Sequence, residues 1–337
     1  GRSPACARGP CSIRRRHTGS RWKGSGPRAT VMQSTMSNLE EHPSERECQS
    51  TVSPLPELLE PRDVPLGGPR AMTVRRTLPH KRIRTVGAWC FVDHYGPERT
   101  RMTVPPHPHI GLQTVSWLLS GEVEHRDSLG SLQRVRPGEL NLMTAGHGIA
   151  HSEYSVDDGP LHGVQLWVAL PDADRDAPPA FGHHADLPAT EGVRVIVGEL
   201  AGMRSPAQVF SPLVGAQTSA DVALPLELDF EYAVLALDGP VDVNGYPVPH
   251  GGLQYLGWGI PEVRITGGRA LLLGGEPMRE HLLMWWNFVG RTHDEIVQAR
   301  EQWQAGDARF PKVPGDPNPR LPAPPMPGVA LKPRPSR

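Results

Sequence analysis

The chain has 337 residues, and its 35 Lys and Arg against 36 Asp and Glu give a formal net charge of −1 at pH 7. This balance argues against electrostatic attraction of the whole protein to nucleic acid or to a membrane, and no apolar run is as long as the roughly 20 residues of a membrane span. The 38 Pro and 36 Gly are typical of a turn-rich β protein rather than of a helical bundle. The four cysteines show no CxxC spacing, which favours a reducing cytoplasm over a disulfide framework.

Residues 1–35 differ in composition from the rest of the chain, because they contain many arginines, no acidic residue and almost no apolar periodicity. Such a segment is compatible with a targeting peptide or a nucleic-acid-binding arm. A disordered basic leader is the simpler interpretation, and we predict it for residues 1–35.

From residue 70 onward, short apolar runs alternate with turn signals. In the first half, strands are predicted over 71–78, 86–97, 114–119, 123–126, 140–143 and 164–170, with the second of these ended by a Gly-Pro turn. Short strands separated by turns in this way are typical of a sandwich or barrel.

Two segments of the first half carry pairs of metal-ligating residues separated by one position: His107 with His109, and His151 with Glu153. In an extended strand, alternate side chains lie on the same face, so each pair points one way. Two such strands side by side would place three imidazoles and one carboxylate around one point, which suits divalent iron, nickel, copper or manganese. Pro108 cannot donate to a sheet ladder, so it predicts an edge or a strand start near a barrel mouth.

Nearby residues are given other roles. His94 and His125 are ambiguous, since such histidines more often cap a turn than bind a metal, and we leave both out of the ligand set. We expect His147 to face solvent or to lie behind the ligands. Gly146 and Gly148 predict close packing or a positive φ just before the second ligand pair. A metal-bound histidine donates its second N–H to a carbonyl or carboxylate, and the sequence offers four partners without choosing among them: Gln113, Glu124, Asp127 and Glu139.

The second half repeats the pattern of the first. Strands are predicted over 193–197, 223–228, 232–237, 241–243, 253–256, 263–266 and 270–273, and segments 237–241 and 249–255 resemble 119–123 and 136–142. We therefore predict a duplicated β-barrel, with a metal-binding barrel within 36–180 and a second barrel within 190–310. The second copy has no HxH or HxE pair, so no metal of this kind is expected there.

The C-terminal region begins with aromatic residues and a helix signal. Trp285, Trp286 and Asn287 resemble a binding platform, but buried core aromatics are the preferred interpretation. Thr292 is the predicted N-cap of a short helix that ends near Gly306, with Glu295 at the capping-box position and an apolar face of Ile296, Ala299 and Trp303. Residues 311–337 form a Pro-rich tail that is expected to be extended on the surface or mobile.

Together these motifs resemble the pirin family, within the cupin superfamily. The resemblance covers residues 60 to 325 approximately and rests on segments 65–68, 87–97, 107–109, 124–130, 143–153, 274–277 and 284–290. It implies an all-β fold of two tandem cupin (jelly-roll) barrels with a short C-terminal helix. It also implies one divalent metal, with Fe(II) preferred over Ni, Cu, Mn or Zn. The family's ligand pattern falls on the residues already identified: His107, His109, His151 and Glu153.

Two positions depart from the family pattern. Gln113 stands where many members carry Glu, which argues against a fifth ligand, and His147 stands where many carry Arg, which changes the charge at the pocket rim.

The resemblance implies two kinds of function. One is a quercetin 2,3-dioxygenase, in which a flavonol or related enediol reacts with dioxygen, with Glu153 as metal ligand and proton acceptor. The alternative is a metal- or redox-dependent regulator that binds a transcription factor or a metabolic enzyme as its protein partner. Family membership does not decide between them, since fold and site are shared while function varies.

Overall fold

The structure, a computed structural model, describes residues 56–66 and 72–337, so the predicted basic leader lies outside the described residues. The first half of the chain forms twelve strands, which are β1 (Glu57–Leu59), β2 (Arg62–Leu66), β3 (Met72–Leu78), β4 (Trp89–Arg99), β5 (Thr103–His109), β6 (Leu112–Ser120), β7 (Val123–Asp127), β8 (Leu132–Val135), β9 (Leu140–Thr144), β10 (Ile149–Ser155), β11 (Pro160–Ala169) and β12 (Ala180–His184).

The second half adds thirteen strands and a helix, which are β13 (Ala189–Thr190), β14 (Val193–Leu200), β15 (Met203–Arg204), β16 (Leu213–Thr218), β17 (Val222–Pro225), β18 (Glu231–Ala236), β19 (Val241–Val243), β20 (Tyr246–Val248), β21 (Leu253–Trp258), β22 (Glu262–Thr266), β23 (Ala270–Gly275), β24 (Leu283–Trp285), β25 (Phe288–Gly290) and α1 (His293–Ala305). No helix in the described ranges is both long enough and apolar enough to cross a membrane.

The strand order repeats between the two halves. The first barrel pairs the sheet β12-β9-β6-β11-β4-β3-β2 with the sheet β5-β10-β7-β8. The large sheet of the second barrel has the order β1-β21-β18-β23-β16-β14-β13, and β15 lies beside β14. Its second sheet has the order β17-β22-β19-β20. Because β9-β6-β11-β4 and β21-β18-β23-β16 occupy the same places, the predicted duplication and the fold of two cupin barrels are confirmed.

The large sheets of the two barrels pack face to face over one apolar core. Val92 and Leu166 of the first barrel and Leu235 and Leu273 of the second barrel lie in this cluster, and each is at most 1% exposed. The indole of Trp89 crosses the junction, and its Nε1 donates to the carbonyl of Val214 at 3.1 Å. The barrels are therefore joined by buried side chains as well as by the chain.

Strand β1 lies in the second barrel although it comes before every strand of the first. Leu59 pairs with Leu253 of β21 and is fully buried in the shared core. The position of β1 in the second barrel was not predicted, because a pattern of three residues is too short to identify a sheet partner.

The predicted end of β4 at Gly96-Pro97 was wrong. The strand continues to Arg99, and its register against β11 shifts between Leu161 and Gly163. A Cβ at Gly96, where φ is +74°, would lie 1.9 Å from the carbonyl oxygen of Leu161. Glycine at this position thus allows a bulge where the sequence suggested a turn.

The C-terminal helix matches its prediction. The hydroxyl of Thr292 accepts from the backbone N–H of Glu295, and Gly306 ends the helix at φ 73°. The carboxylate of Glu295 accepts from the backbone N–H of Arg291, one residue before the expected capping-box partner. The tail beyond the helix packs on the first barrel, since Leu321 donates its N–H to the carbonyl of Pro106 at 2.8 Å.

Candidate metal centre

The two predicted ligand segments are neighbouring antiparallel strands. In the pairing of β5 with β10, His151 lies opposite His107 and Ile149 lies opposite His109, with a register shift between His151 and Glu153. Strand β5 is the edge of its sheet, as Pro108 predicted. The local alternation of each strand therefore brings the ligand pairs to one face.

Three imidazoles meet inside the first barrel. His107, His109 and His151 offer nitrogens within 4.8 Å of one another, and all three rings are buried. Nδ1 of His107 lies 2.9 Å from the carbonyl oxygen of Pro105, and Nδ1 of His109 lies 2.9 Å from that of Asn287. A carbonyl only accepts, so each Nδ1 carries the ring hydrogen and each Nε2 presents a lone pair.

The close approach of two ring nitrogens tests whether a metal fits. Nε2 of His109 and Nε2 of His151 lie 3.0 Å apart. With the His109 hydrogen on Nδ1, its Nε2 lone pair can accept the ring hydrogen of His151 or bind a metal together with that nitrogen. Three buried, neutral imidazoles with converging nitrogens form a donor set that fits a metal of the imidazole-preferring group.

Burial keeps these rings neutral. It lowers the pKa of His107 to about 4. For His109 and His151, burial first and then the neighbouring histidines lower the pKa well below its ordinary value. Neutral imidazole is the form that binds metal, so the site is ready to bind one at neutral pH.

Glu153 lies beside this cluster. It groups within 4.8 Å with His151 and His125, and one of its oxygens, Oε1, is 2.9 Å from the hydroxyl of Ser116. That hydroxyl is also 3.0 Å from Oε1 of Gln165. Burial raises the pKa of the Glu153 carboxyl, and this favours a side chain that takes up a proton.

A cavity of about 80 Å³ opens onto the ligands. All four predicted ligands line it, and its other walls are largely apolar: Leu66, Phe91, Met102, Val104, Trp167, Trp286 and Leu321. Phe91 and Trp167 stack with ring centroids 4.0 Å apart. The cavity therefore presents flat aromatic surface beside the polar cluster.

An ion pair forms part of the same wall. The guanidinium of Arg76 donates two hydrogen bonds of 2.7 Å to Asp93, and both side chains are 2% exposed. Arg76 also lies over the ring of Phe91, 4.2 Å from its centroid. This pair was not predicted from the sequence, because positions 17 residues apart give no periodic signal.

The aromatic run before the helix is buried core, as expected, and Trp285 and Trp286 both lie in one core cluster. Trp286 and Asn287 also line the cavity, which was not expected. They form the two-residue turn between β24 and β25, where Trp286 has a φ of +53°. The turn places the Asn287 carbonyl on His109, and a two-residue gap between short strands was the signal that could have found it.

The other histidines are distributed as follows. The turn-capping roles expected for His94 and His125 were wrong, because both lie within strands and are buried. His125 lies behind His151, with the two Nδ1 atoms 3.4 Å apart, and His94 lies at the junction of the barrels, 2.8 Å from His162. His147 is exposed, as expected, and its carbonyl accepts from Arg309.

Of the four candidate partners for the ring N–H groups, Asp127 pairs with His125, which is not a predicted ligand, at 3.1 Å. Gln113 instead donates to Thr144 and to the Gln208 carbonyl. Backbone carbonyls accept the ring hydrogens of His107 and His109. Every residue has a backbone carbonyl, so the sequence cannot indicate which ones take this role.

The predicted glycines are explained by packing. Gly146 has φ +52°, and a Cβ there would lie 1.8 Å from the carbonyl oxygen of Ala177. Gly148 has Arg309 and Phe310 within about 3 Å of the same position. Both expectations, positive φ and close packing, are confirmed.

The strands of the second barrel that correspond to the ligand strands carry a buried apolar pair. Strands β17 and β22 correspond to β5 and β10, and their paired residues Leu224 and Val263 are buried. Within the part of the chain that the structure describes, the groups able to hold a metal lie only in the first barrel.

Two family profiles match the chain, one described as pirin over residues 71–168 and one described as the pirin C-terminal cupin domain over residues 214–311. A Pseudomonas aeruginosa protein provisionally named a quercetin 2,3-dioxygenase is 45% identical over 311 residues, 87% of this chain and 98% of that protein. A pirin-like protein of Caulobacter vibrioides is 38% identical over 263 residues, 71% of this chain and 91% of that protein. The crystal structure of a quercetin 2,3-dioxygenase from Acinetobacter baumannii has a TM-score of 0.77 at 42% identity and covers 82% of this chain and 98% of that chain.

Two jelly-roll barrels with a histidine cluster in the first define a bicupin protein. The profiles and the relatives extend this similarity over both barrels. The chain belongs to the pirin family.

Proposed function

We propose that this chain is a metal-dependent dioxygenase that acts on quercetin-like flavonols or related enediols. One divalent metal, Fe(II) before Ni, Cu, Mn or Zn, is held by His107, His109, His151 and Glu153. The observation that carries the proposal is the 3.0 Å approach of the Nε2 atoms of His109 and His151 at the wall of a cavity. The names of the relatives from Pseudomonas and Acinetobacter support the reaction class.

The roles of the chain's residues follow from their positions. A bound divalent metal would supply Lewis acidity for the paired oxygens of the substrate. The histidines hold neutral nitrogens toward it, fixed by the carbonyls of Pro105 and Asn287. Glu153 accepts the proton of a substrate hydroxyl, and the Ser116 hydroxyl orients the carboxylate.

The cavity wall determines how substrate enters. The stacked rings of Phe91 and Trp167 offer a flat apolar surface to an aromatic substrate. A cavity of about 80 Å³ is smaller than the roughly 300–1,000 Å³ of pockets that enclose a ligand. Entry of a flavonol therefore requires a wall residue to move. We assign this movement to Leu321, which belongs to the tail.

Dioxygen uptake with quercetin tests the proposal. Protein reconstituted with Fe(II) is expected to consume dioxygen, and the double variant His107→Ala, His109→Ala is expected not to. His147→Ala, which changes an exposed histidine outside the cavity, is the matched control and should keep the rate. Fully metallated wild type that consumes no dioxygen with quercetin or related catechols would contradict the dioxygenase assignment. It would favour the regulatory alternative, in which binding of a protein partner depends on the oxidation state of the metal.

The compartment is part of the same proposal. Cys90, the cysteine within the described ranges, is a buried free thiol. Together with the absence of CxxC spacing from the sequence, this supports a reducing cytoplasm.

A further inference from the structure

A second carboxylate–histidine pair lies behind the proposed metal ligands. Strand β7 pairs with β10 so that His125 lies opposite Glu153 and Asp127 lies opposite His151. Nδ1 of His125 is 3.4 Å from Nδ1 of His151, and Nε2 of His125 is 3.1 Å from Oδ2 of Asp127. His125 and Asp127 are 2% and 0% exposed.

The hydrogen positions of Asp127 and His125 follow from their partners. The other oxygen of Asp127 accepts from the backbone N–H groups of Leu129 and Ser131, at 2.9 and 3.0 Å, so the carboxylate acts as an acceptor throughout. His125 must then carry its hydrogen on Nε2, and its Nδ1 is a lone pair. When His151 binds a metal through Nε2, its ring hydrogen lies on Nδ1, where His125 can accept it. Without metal, Nε2 of His151 can instead donate to Nε2 of His109, 3.0 Å away.

We propose that His125 and Asp127 are positioning residues that fix the ring and the tautomer of His151 for metal binding. The inference rests on the proposed metal centre. The Asp127 carboxylate makes His125 a better acceptor, and His125 in turn makes His151 a stronger ligand. The pair is expected to raise metal affinity and to stabilise the higher oxidation state of iron.

His125 is also near enough to His151 and Glu153 to be considered as a ligand itself. Three observations argue against His125 as a metal ligand. It is not among the residues that line the cavity, its ring stacks on Phe181 with centroids 4.4 Å apart, and its Nδ1 faces the far nitrogen of His151. The geometry therefore favours a residue that supports a ligand.

Four variants separate these roles: His125→Leu, His125→Gln, Asp127→Asn and Phe181→Leu. The first removes the acceptor, whereas the Gln side-chain carbonyl can still accept from His151. Asp127→Asn places an N–H donor opposite the Nε2–H of His125. The His125 ring must then carry its hydrogen on Nδ1, where it faces the Nδ1–H of His151. Phe181→Leu removes only the stacked ring and is the packing control.

The readouts are Co²⁺ affinity, by competition with a chelator, and the visible absorption spectrum of the Co²⁺ protein. We expect His125→Leu and Asp127→Asn to lose about 10- to 100-fold in affinity with shifted absorption bands, whereas His125→Gln and Phe181→Leu stay within about threefold of wild type. Circular dichroism checks that each variant is folded.

Other outcomes overturn the proposal. Wild-type affinity and spectrum in His125→Leu would show that the pair does not act on His151. Loss of one nitrogen ligand from the spectra of both His125 variants would make His125 a ligand. A wild-type protein that binds no Co²⁺, Fe(II) or Ni²⁺ would overturn the proposed metal function and this inference together, whereas failure confined to the variants concerns the positioning role alone.

Discussion

His109 and His151 come from neighbouring strands, and their Nε2 atoms lie 3.0 Å apart. The other nitrogen of His109 is held by the Asn287 carbonyl, and the other nitrogen of His151 faces His125. Without metal, the ring hydrogen of His151 can lie between these two atoms, whereas with metal both nitrogens bind the ion. Because the ion binds the folded chain, metal binding should stabilise the fold.

Removal of metal is expected to lower the melting temperature. An ion present at 100 times its dissociation constant adds about 2.7 kcal/mol to the free energy of unfolding. Differential scanning fluorimetry of wild type with metal and with a chelator should show the difference, and His109→Ala should abolish it. His147→Ala should behave as wild type. A His109→Ala protein that retains the full metal-dependent shift would contradict the ligand assignment.

The ion pair in the cavity wall gives a stability prediction. Arg76→Leu leaves the Asp93 carboxylate buried without its guanidinium, so unfolding should become easier by roughly 3–5 kcal/mol. Urea denaturation measures this difference. The control is Arg204→Leu, which removes a pair with Glu199 whose arginine is 79% exposed, and it should cost less than about 1 kcal/mol. Equal small losses in both variants would show that the buried pair does not stabilise the wall.

The junction between the barrels should make stability depend on pH. Burial, together with Arg75 and neighbouring histidines, lowers the pKa of His94 to about 2. Burial lowers that of His162 to about 4, although Asp238 opposes the effect. An unfolded histidine titrates near 6.5, so the unfolded state binds more protons as pH falls below that value, and stability decreases. His94 alone should account for a loss of roughly 2 kcal/mol at pH 5.

The charged and titratable groups around His94 include Arg75, His162, His250, Asp238 and Arg269. The test compares urea midpoints at pH 7 and pH 5 for wild type, His94→Asn and the exposed-site control His147→Asn. The difference between the two pH values should shrink in His94→Asn only. Metal-ligand titrations are common to all three proteins and cancel. An unchanged difference in His94→Asn would rule out this origin.

The tail residue at the cavity should control which substrates enter. The backbone of Leu321 is held on both sides, by the Pro106 carbonyl and by the indole of Trp303. Leu321→Ala therefore enlarges the cavity without releasing the tail. We expect kcat/KM for quercetin to rise several-fold while that for a small catechol stays constant. Val329→Ala, an exposed change in the same tail, is the control, and a uniform change for both substrates would contradict an entry role.

The part of the site that was predictable is local in sequence. His107 with His109 and His151 with Glu153 each lie on one strand, and a period of two residues is enough to place both members of a pair on one face. The duplication was likewise visible, because both barrels repeat similar turn segments in the same order.

The remaining parts of the site depend on distant residues. Asn287 reaches His109 from 178 positions away, and Leu321 lines the same cavity from the tail. Such contacts depend on how the hairpin and the tail pack on the barrel. This packing leaves no periodic pattern in the sequence. Burial of His94 and His125 was missed for a related reason, since a polar residue in a strand gives no sign of the partner that compensates its burial.

The exchange of segments between the barrels has a consequence for synthesis. Strand β1 is synthesised before every strand of the first barrel and yet completes the second barrel, whereas residue 321 closes the cavity of the first. The first barrel can acquire its sheets early, but its cavity stays open on one side until translation has passed both barrels. Metal loading during synthesis would thus meet a wider entrance than the finished protein offers. In the full chain, Leu321→Ala should therefore exchange metal faster than wild type.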